Sequence, residues 1–122
     1  MPAMIGRWHG LIIDCPDPSA LASFYERLVG MQRIQDEGDW VVIGDAPDRP
    51  GIAFSRVSDL RPPQWPDPEH PQQMHLDVRV DDLDQGEQQV LATGARRLPG
   101  GGETFRVFAD PVGHPFCLVW MP

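Results

Sequence analysis

The 122-residue chain has no lysine and no asparagine. Without lysine there is no amine for Schiff-base catalysis, and without asparagine there is no N-glycosylation acceptor. Ten arginines face eighteen Asp and Glu, for a net charge of -8 and a pI near 4.7. A nucleic acid would meet net repulsion, and no basic cluster stands out, so none is expected as a partner. No apolar run approaches the roughly 20 residues of a membrane span, so no membrane is expected either. No charged-then-apolar leader opens the chain, so no signal peptide is expected. The two cysteines, Cys15 and Cys117, each lie inside an apolar run. Without an export signal they read as buried thiols rather than a disulfide. Hydrophobic residues make up 41% and charged residues 23%. That is a globular balance at a length that builds one core, and it points to a cytoplasmic domain spanning 1–122.

What is present has a clear order. The run WHGLIIDC at 8–15 is apolar, β-branched and too short for a helix, so it reads as a strand. Asp17 and Pro18 then make a helix start, an acceptor for free N–H groups followed by a residue that lacks one. Leu21, Phe24, Tyr25 and Leu28 form one apolar stripe, and Gly30 ends the helix. Strands follow near Gln32–Gln35, Trp40–Ile43 and Ile52–Val57, with a turn of Asp, Pro and Gly at 45–51. The pattern then restarts. Met74–Val80 alternates as a strand does, and Asp84 with Glu87 offers a capping box. Leu83, Glu87, Val90 and Leu91 share one side of a second helix, which Gly94 ends. Strands are expected near Arg96–Leu98, Thr104–Phe108 and Pro115–Trp120.

Both halves therefore read strand, helix, strand, strand, strand. An offset of 65 places Leu11 on Leu76, Asp17 on Asp82, Trp40 on Phe105, Val42 on Val107, Asp45 on Asp110 and Pro50 on Pro115. This is an internal duplication, with module one at 5–57 and module two at 74–122. The crossover at 58–73 carries five prolines in PPQWPDPEHP, which forbid a central strand or a helix interior. Trp65 is its only large apolar residue; it either pins the crossover to the body or covers a pocket mouth.

The segments LIIDCPDPSALASFYERLVGM, HLDVRVDDLDQGEQQVLATGARRL and FRVFADPVGHPFCLVW carry a resemblance. They resemble the paired βαβββ modules of the vicinal oxygen chelate superfamily, which includes glyoxalases, bleomycin-resistance proteins and extradiol dioxygenases. More narrowly, they are similar to small bacterial glyoxalase-like domains. The helix end FY-x-x-x-x-G and the close D-P-x-G-H-P-F carry the likeness most specifically. The resemblance implies an α+β fold of two tandem modules forming a curved mixed sheet with a central cleft. It also implies a divalent metal in the cleft of the enzymes, held by four His, Gln or Glu ligands from the first and last strands of both modules. Such a metal acts as a Lewis acid with open coordination positions.

Carried onto this chain, the four ligand places fall on Gly10, Ile52, His75 and Cys117. Only His75 matches the usual ligand types. Cys117 could ligate as a thiolate, or be a small buried hydrophobe. His9 would have to be re-aimed by a bulge. Two protein ligands hold a divalent ion poorly, so no cofactor and no full family-type metal site are expected.

Alternation puts His75, Asp77 and Arg79 on one strand face. His75 and Asp77 are the candidate catalytic pair for proton transfer. The plain alternatives are a hydrogen-bonded core histidine and an Asp77–Arg salt bridge. The expected ligand pocket is Ile12, Trp40, Ile52, Arg79, Phe105 and Cys117. His114 is expected at an exposed turn. No phosphate-loop, H-E-x-x-H, G-x-S-x-G or C-x-x-C motif occurs.

Three readings follow. One is a metal-poor, glyoxalase-like protein holding a small, largely apolar organic ligand. Another is a metal-dependent lyase, isomerase or dioxygenase using His75. The last is a homodimeric interaction module without a ligand. The resemblance implies a homodimer, since small paired-module chains often share their edges.

Overall fold

The computed structural model describes residues 6–122. The expected start of module one at residue 5 lies outside them. The chain divides into two compact units between Asp59 and Leu60, so the proline crossover goes with the second.

In the first unit, β1 (Gly10–Cys15) leads into α1 (Pro18–Val29), then β2 (Gln32–Asp36), β3 (Trp40–Gly44) and β4 (Gly51–Arg56). The helix begins and ends where its chemistry requires. Asp17 Oδ1 accepts from Ala20 N at 3.2 Å, and Gly30 takes the left-handed conformation at φ 73°. Leu21, Phe24 and Tyr25 are buried, as the stripe predicts, while Leu28 is half-buried. Tyr25 packs on Phe54 of β4 with ring centroids 5.5 Å apart. Arg33 of β2 ties the sheet to the helix through Glu26 at 2.8 Å and the Ser19 carbonyl at 3.0 Å.

The second unit repeats the order: β5 (Leu76–Arg79), α2 (Leu83–Ala92), β6 (Arg96–Arg97), β7 (Phe105–Ala109) and β8 (Pro115–Val119). Each unit has one four-stranded sheet, ordered β1-β4-β3-β2 and β5-β8-β7-β6. In both, the first strand runs parallel to the last and the other pairs are antiparallel. The fold is α+β, two tandem βαβββ modules of identical topology.

Several local expectations change. The cap of α2 is Asp82, whose Oδ1 accepts from Gln85 N at 3.0 Å. Asp84 and Glu87 do not form the capping box; Asp84 turns to Arg106 of β7 at 2.8 Å, and Glu87 to Arg97 of β6 at 2.7 Å and to Arg106 at 3.5 Å. These guanidinium bonds to the sheet outcompete a bond to the helix's own backbone. Leu91 leaves the apolar stripe at 43% exposure, and Gly86 takes its place against the sheet. A Cβ at Gly86 would lie 3.2 Å from both Leu118 and Val80, so glycine lets α2 approach closely. Met74 and His75 precede β5 rather than forming its start.

Asp110 explains the D-P-x-G-H-P turn. It is buried at 1% exposure, and its Oδ1 accepts from the N–H groups of Val112, Gly113 and His114 at 2.9, 2.9 and 3.0 Å. Three convergent amides satisfy an otherwise costly buried carboxylate. His114 is half-buried rather than exposed.

Candidate functional site

The sheet register sorts the predicted residues by face. In the second unit Leu118 and Arg106 face α2, through Gly86 and through Asp84 and Glu87 respectively. The alternate residues take the open face. They form two rows across the sheet: Asp77–Cys117–Val107 and Arg79–Val119–Phe105. Cys117 and Val107 are buried, and Phe105 is 39% exposed, so the floor is apolar. Asp77 and Arg79 stand exposed at one side of it. Arg79 makes no ion pair among the described residues.

His75 belongs to the same face. Its Nε2 lies 3.3 Å from Asp77 Oδ1, with both side chains substantially exposed. Cys117 sits directly beside Asp77 on the neighbouring parallel strand. A ring nitrogen of His75, a carboxylate oxygen of Asp77 and the Cys117 sulfur all lie within 4.8 Å of one another. Burial raises the Cys117 pKa, and the negative charge of Asp77 and its hydrogen bond to the thiol raise it further. The thiol is therefore protonated and a poor nucleophile at neutral pH. Its role is that of a weak donor to Asp77, while Asp77 also holds the imidazole.

The first unit treats its predicted residues differently. Ala53 pairs with Ile12 on one side and Val42 on the other, and Trp40 pairs with Ser55, so Ile12 and Trp40 share that unit's open face. Ile12 is 56% exposed. Ile52 does not join them. It pairs with Leu11 and Ile43, in line with Phe54 on the side that α1 covers, and it is 7% exposed. The cause is one residue. Trp40 and Phe105 open equivalent strands 65 apart, but Gly51 and Pro115 open the next pair only 64 apart. The turn before β4 is one residue longer than the turn before β8, and a one-residue slip exchanges the two faces. The true counterpart of Cys117 is Ala53.

The donor set of a four-ligand metal centre can be tested against this geometry. Gly10 has no side chain, and a Cβ there would lie 2.5 Å from the Gly51 carbonyl oxygen. Ala53 has no donor atom, and Ile52 points to the helix. The first unit therefore supplies none of the four family positions, and these residues do not fit that centre. His9 is exposed and precedes β1, with no bulge in the β1–β4 pairing to re-aim it.

Both roles expected of Trp65, pinning the crossover and covering a pocket mouth, are met at a second feature. A cavity of about 330 Å³ lies between Pro62, Pro63 and Trp65 of the crossover and Arg96, Leu98 and Ala109 of the sheet. Trp65 lines it and also anchors the crossover, donating from Nε1 to the Pro99 carbonyl at 3.1 Å. Trp65 among the prolines was the available signal, but it does not say which part of the sheet the crossover covers.

Comparison with known proteins agrees with the topology. The glyoxalase-like domain family matches residues 10–119. No curated protein matches the chain. A glyoxalase/bleomycin resistance protein/dioxygenase family enzyme from Burkholderia phytofirmans PsJN shares 18% identity at a TM-score of 0.69, over 93% of this chain and 97% of that one. The fosfomycin resistance protein FosX from Mesorhizobium loti shares 16% at 0.69, over 98% and 95%. FosX from Listeria monocytogenes shares 14% at 0.71, over 98% and 96%. A mutant of that Listeria protein was crystallised with Mn(II) and 1S,2S-dihydroxypropylphosphonic acid. At such identities the likeness establishes the fold, and fold alone does not carry an activity. Together with the family match across nearly the whole chain, it shows that this chain belongs to the glyoxalase-like domain family of the vicinal oxygen chelate superfamily.

Proposed function

We propose that this chain binds a small organic ligand on the open face of the second unit's sheet, without the family's four-ligand metal centre. The observation that carries this reading is the meeting of His75, Asp77 and Cys117 over an apolar floor. Val107, Val119 and Phe105 offer that floor to the ligand's body, while His75 and the unpaired Arg79 guanidinium offer donors to its oxygens. A small acid with an apolar body fits this chemistry. The charge of Asp77 disfavours a dianion lying directly over it. The proposal places the protein in the cytoplasm as a homodimer; the exposed Ile12 on the first unit's open face is the kind of surface a second copy would cover.

A second reading is an enzyme of the lyase, isomerase or dioxygenase kind, and the His75–Asp77 contact favours it. A carboxylate 3.3 Å from Nε2 orients the ring and leaves Nδ1 as the nitrogen that can take a proton from a ligand.

Calorimetry with a set of small carboxylic and phosphonic acids tests both, with 1S,2S-dihydroxypropylphosphonic acid as reference. At least one acid should bind, and His75→Ala or Arg79→Ala should weaken it by about tenfold. Binding that neither substitution changes would place the ligand elsewhere, and no binding across the set would contradict the reading. Turnover of a bound acid that His75→Ala and Asp77→Asn both abolish would favour the enzyme.

A further inference from the structure

We propose that the cavity under the proline crossover is a second binding site, for a neutral, flat aromatic compound that carries a carbonyl oxygen. It lies within the second unit and shares no lining residue with the His75–Asp77–Cys117 group or with the Val107–Val119–Phe105 floor. It therefore stands or falls apart from the ligand reading above.

The sheet supplies the floor of this cavity. Arg96 of β6 and Ala109 of β7 are register partners, and two residues on Leu98 N donates to the Val107 carbonyl at 2.9 Å. Alternation puts Arg96 and Leu98 on one face, while Arg97 between them turns to Glu87 of α2 at 2.7 Å. The crossover supplies the roof, and the roof is tied down. Trp65 Nε1 donates to the Pro99 carbonyl at 3.1 Å, and Gln64 N donates to the His70 carbonyl at 2.8 Å. Pro62 packs on the turn before β8, where a Cβ at Gly113 would lie 3.2 Å from the Pro62 Cβ. A cavity of about 330 Å³ fixed in this way is preformed, at the lower end of the size range of small-molecule pockets. A preformed cavity spares its ligand the cost of ordering the walls.

The lining selects the ligand. Pro62, Pro63 and Trp65 bring three rigid rings, and Leu98 and Val112 add apolar surface. A flat aromatic body stacks on an indole and fills such a space with little loss of freedom. Only Gln64 and Arg96 bring polar side chains. Arg96 makes no ion pair among the described residues, and it is open to water. A solvated guanidinium gains little from a full ion pair. No second cation lines the cavity, and a net charge of -8 opposes an anion further. A guanidinium still donates to a carbonyl oxygen, and its plane stacks on an aromatic ring. The rings thus hold the body, and Arg96 reads the oxygen.

The test is two-dimensional amide NMR of the nitrogen-15-labelled full chain, titrated with chromone, a flat bicyclic ketone. The Trp65 indole N–H, assigned by its absence from the Trp65→Phe spectrum, should shift saturably together with the amides of Leu98, Ala109 and Gly113. Arg96→Ala removes an exposed side chain, so its spectrum should remain that of the folded protein, and chromone should bind it about fivefold or more weakly. Cyclohexanone, a carbonyl on a puckered ring, should bind the parent about tenfold more weakly than chromone. The acid 2-naphthoate, two flat rings with a carboxylate, should bind at this cavity no more tightly than chromone. Arg79→Ala should bind chromone as the parent does. No saturable shift at the Trp65 indole, or equal affinity in Arg96→Ala, would overturn the proposal. So would equal binding of cyclohexanone, or tighter binding of 2-naphthoate in the cavity. Chromone shifts centred on Asp77 and Cys117 and lost in Arg79→Ala would overturn this site and leave the ligand reading above intact.

Discussion

Single residues set the limits of this molecule most sharply where a side chain is missing or buried. Gly10 meets the Gly51 carbonyl so closely that a methyl group cannot be added without moving β1 against β4. Gly10→Ala should therefore cost about 1–3 kcal/mol in chemical denaturation, although Gly10 itself packs no side chain. An engineered histidine there should cost at least as much, so a family-type ligand cannot simply be restored. Asp110 is the opposite case, one carboxylate oxygen holding three amides. Asp110→Ala should lose about 3 kcal/mol, as its buried amides lose their acceptor. Asp110→Asn keeps an Oδ1 in place and should lose clearly less. Equal losses in the two variants would mean that the second carboxylate oxygen, not the amide cluster, carries the stability. His75, by contrast, precedes its strand with a side chain 40% exposed, so His75→Ala should leave the unfolding midpoint nearly unchanged. A collapse of that variant would make it a structural histidine.

At the scale of elements, each helix is held by a cap and by arginine bonds to its sheet. Asp17 and Asp82 cap equivalent helices in equivalent ways. Asp17→Ala and Asp82→Ala should each cost about 1 kcal/mol by urea unfolding. Arg33 joins β2 to α1 through Ser19, Ser23 and Glu26, and also holds Asp36 on its own strand. Its loss should exceed that of an isolated surface pair, reaching about 1 kcal/mol, because several partners are left at once. Elements were also the scale most legible in the sequence. The Asp17-Pro18 start, the Gly30 stop and the apolar stripe each have one physical meaning, and the helix lies where they put it. The cap of α2 was less legible, because Asp82 and Asp84 are both chemically able to cap. The choice fell to Arg106, a residue 22 positions away that no local pattern connects to Asp84.

For the molecule as a whole, the duplication was readable because strand, cap and turn recur in order, and the two sheets share one topology. The same regularity misled at one point. A fixed offset of 65 carried Cys117 onto Ile52, but the longer turn before β4 breaks the offset and reverses the face. Turn length is a local property, and its effect on facing appears only when strands pair. The open-face group in the second unit was partly legible. Alternation put Asp77 beside His75, but the adjacency of Asp77 and Cys117 depends on the parallel β5–β8 register, which no sequence spacing encodes.

The central claim is that function sits on the open face of the second unit's sheet. Amide NMR of the folded protein, titrated with the organic acid that binds best, tests it most directly. Shifts should concentrate at Asp77, Arg79, Phe105 and Cys117, with those of Ile52 and Phe54 unmoved. Shifts confined to the Trp65–Leu98 cavity, or to the first unit alone, would contradict it.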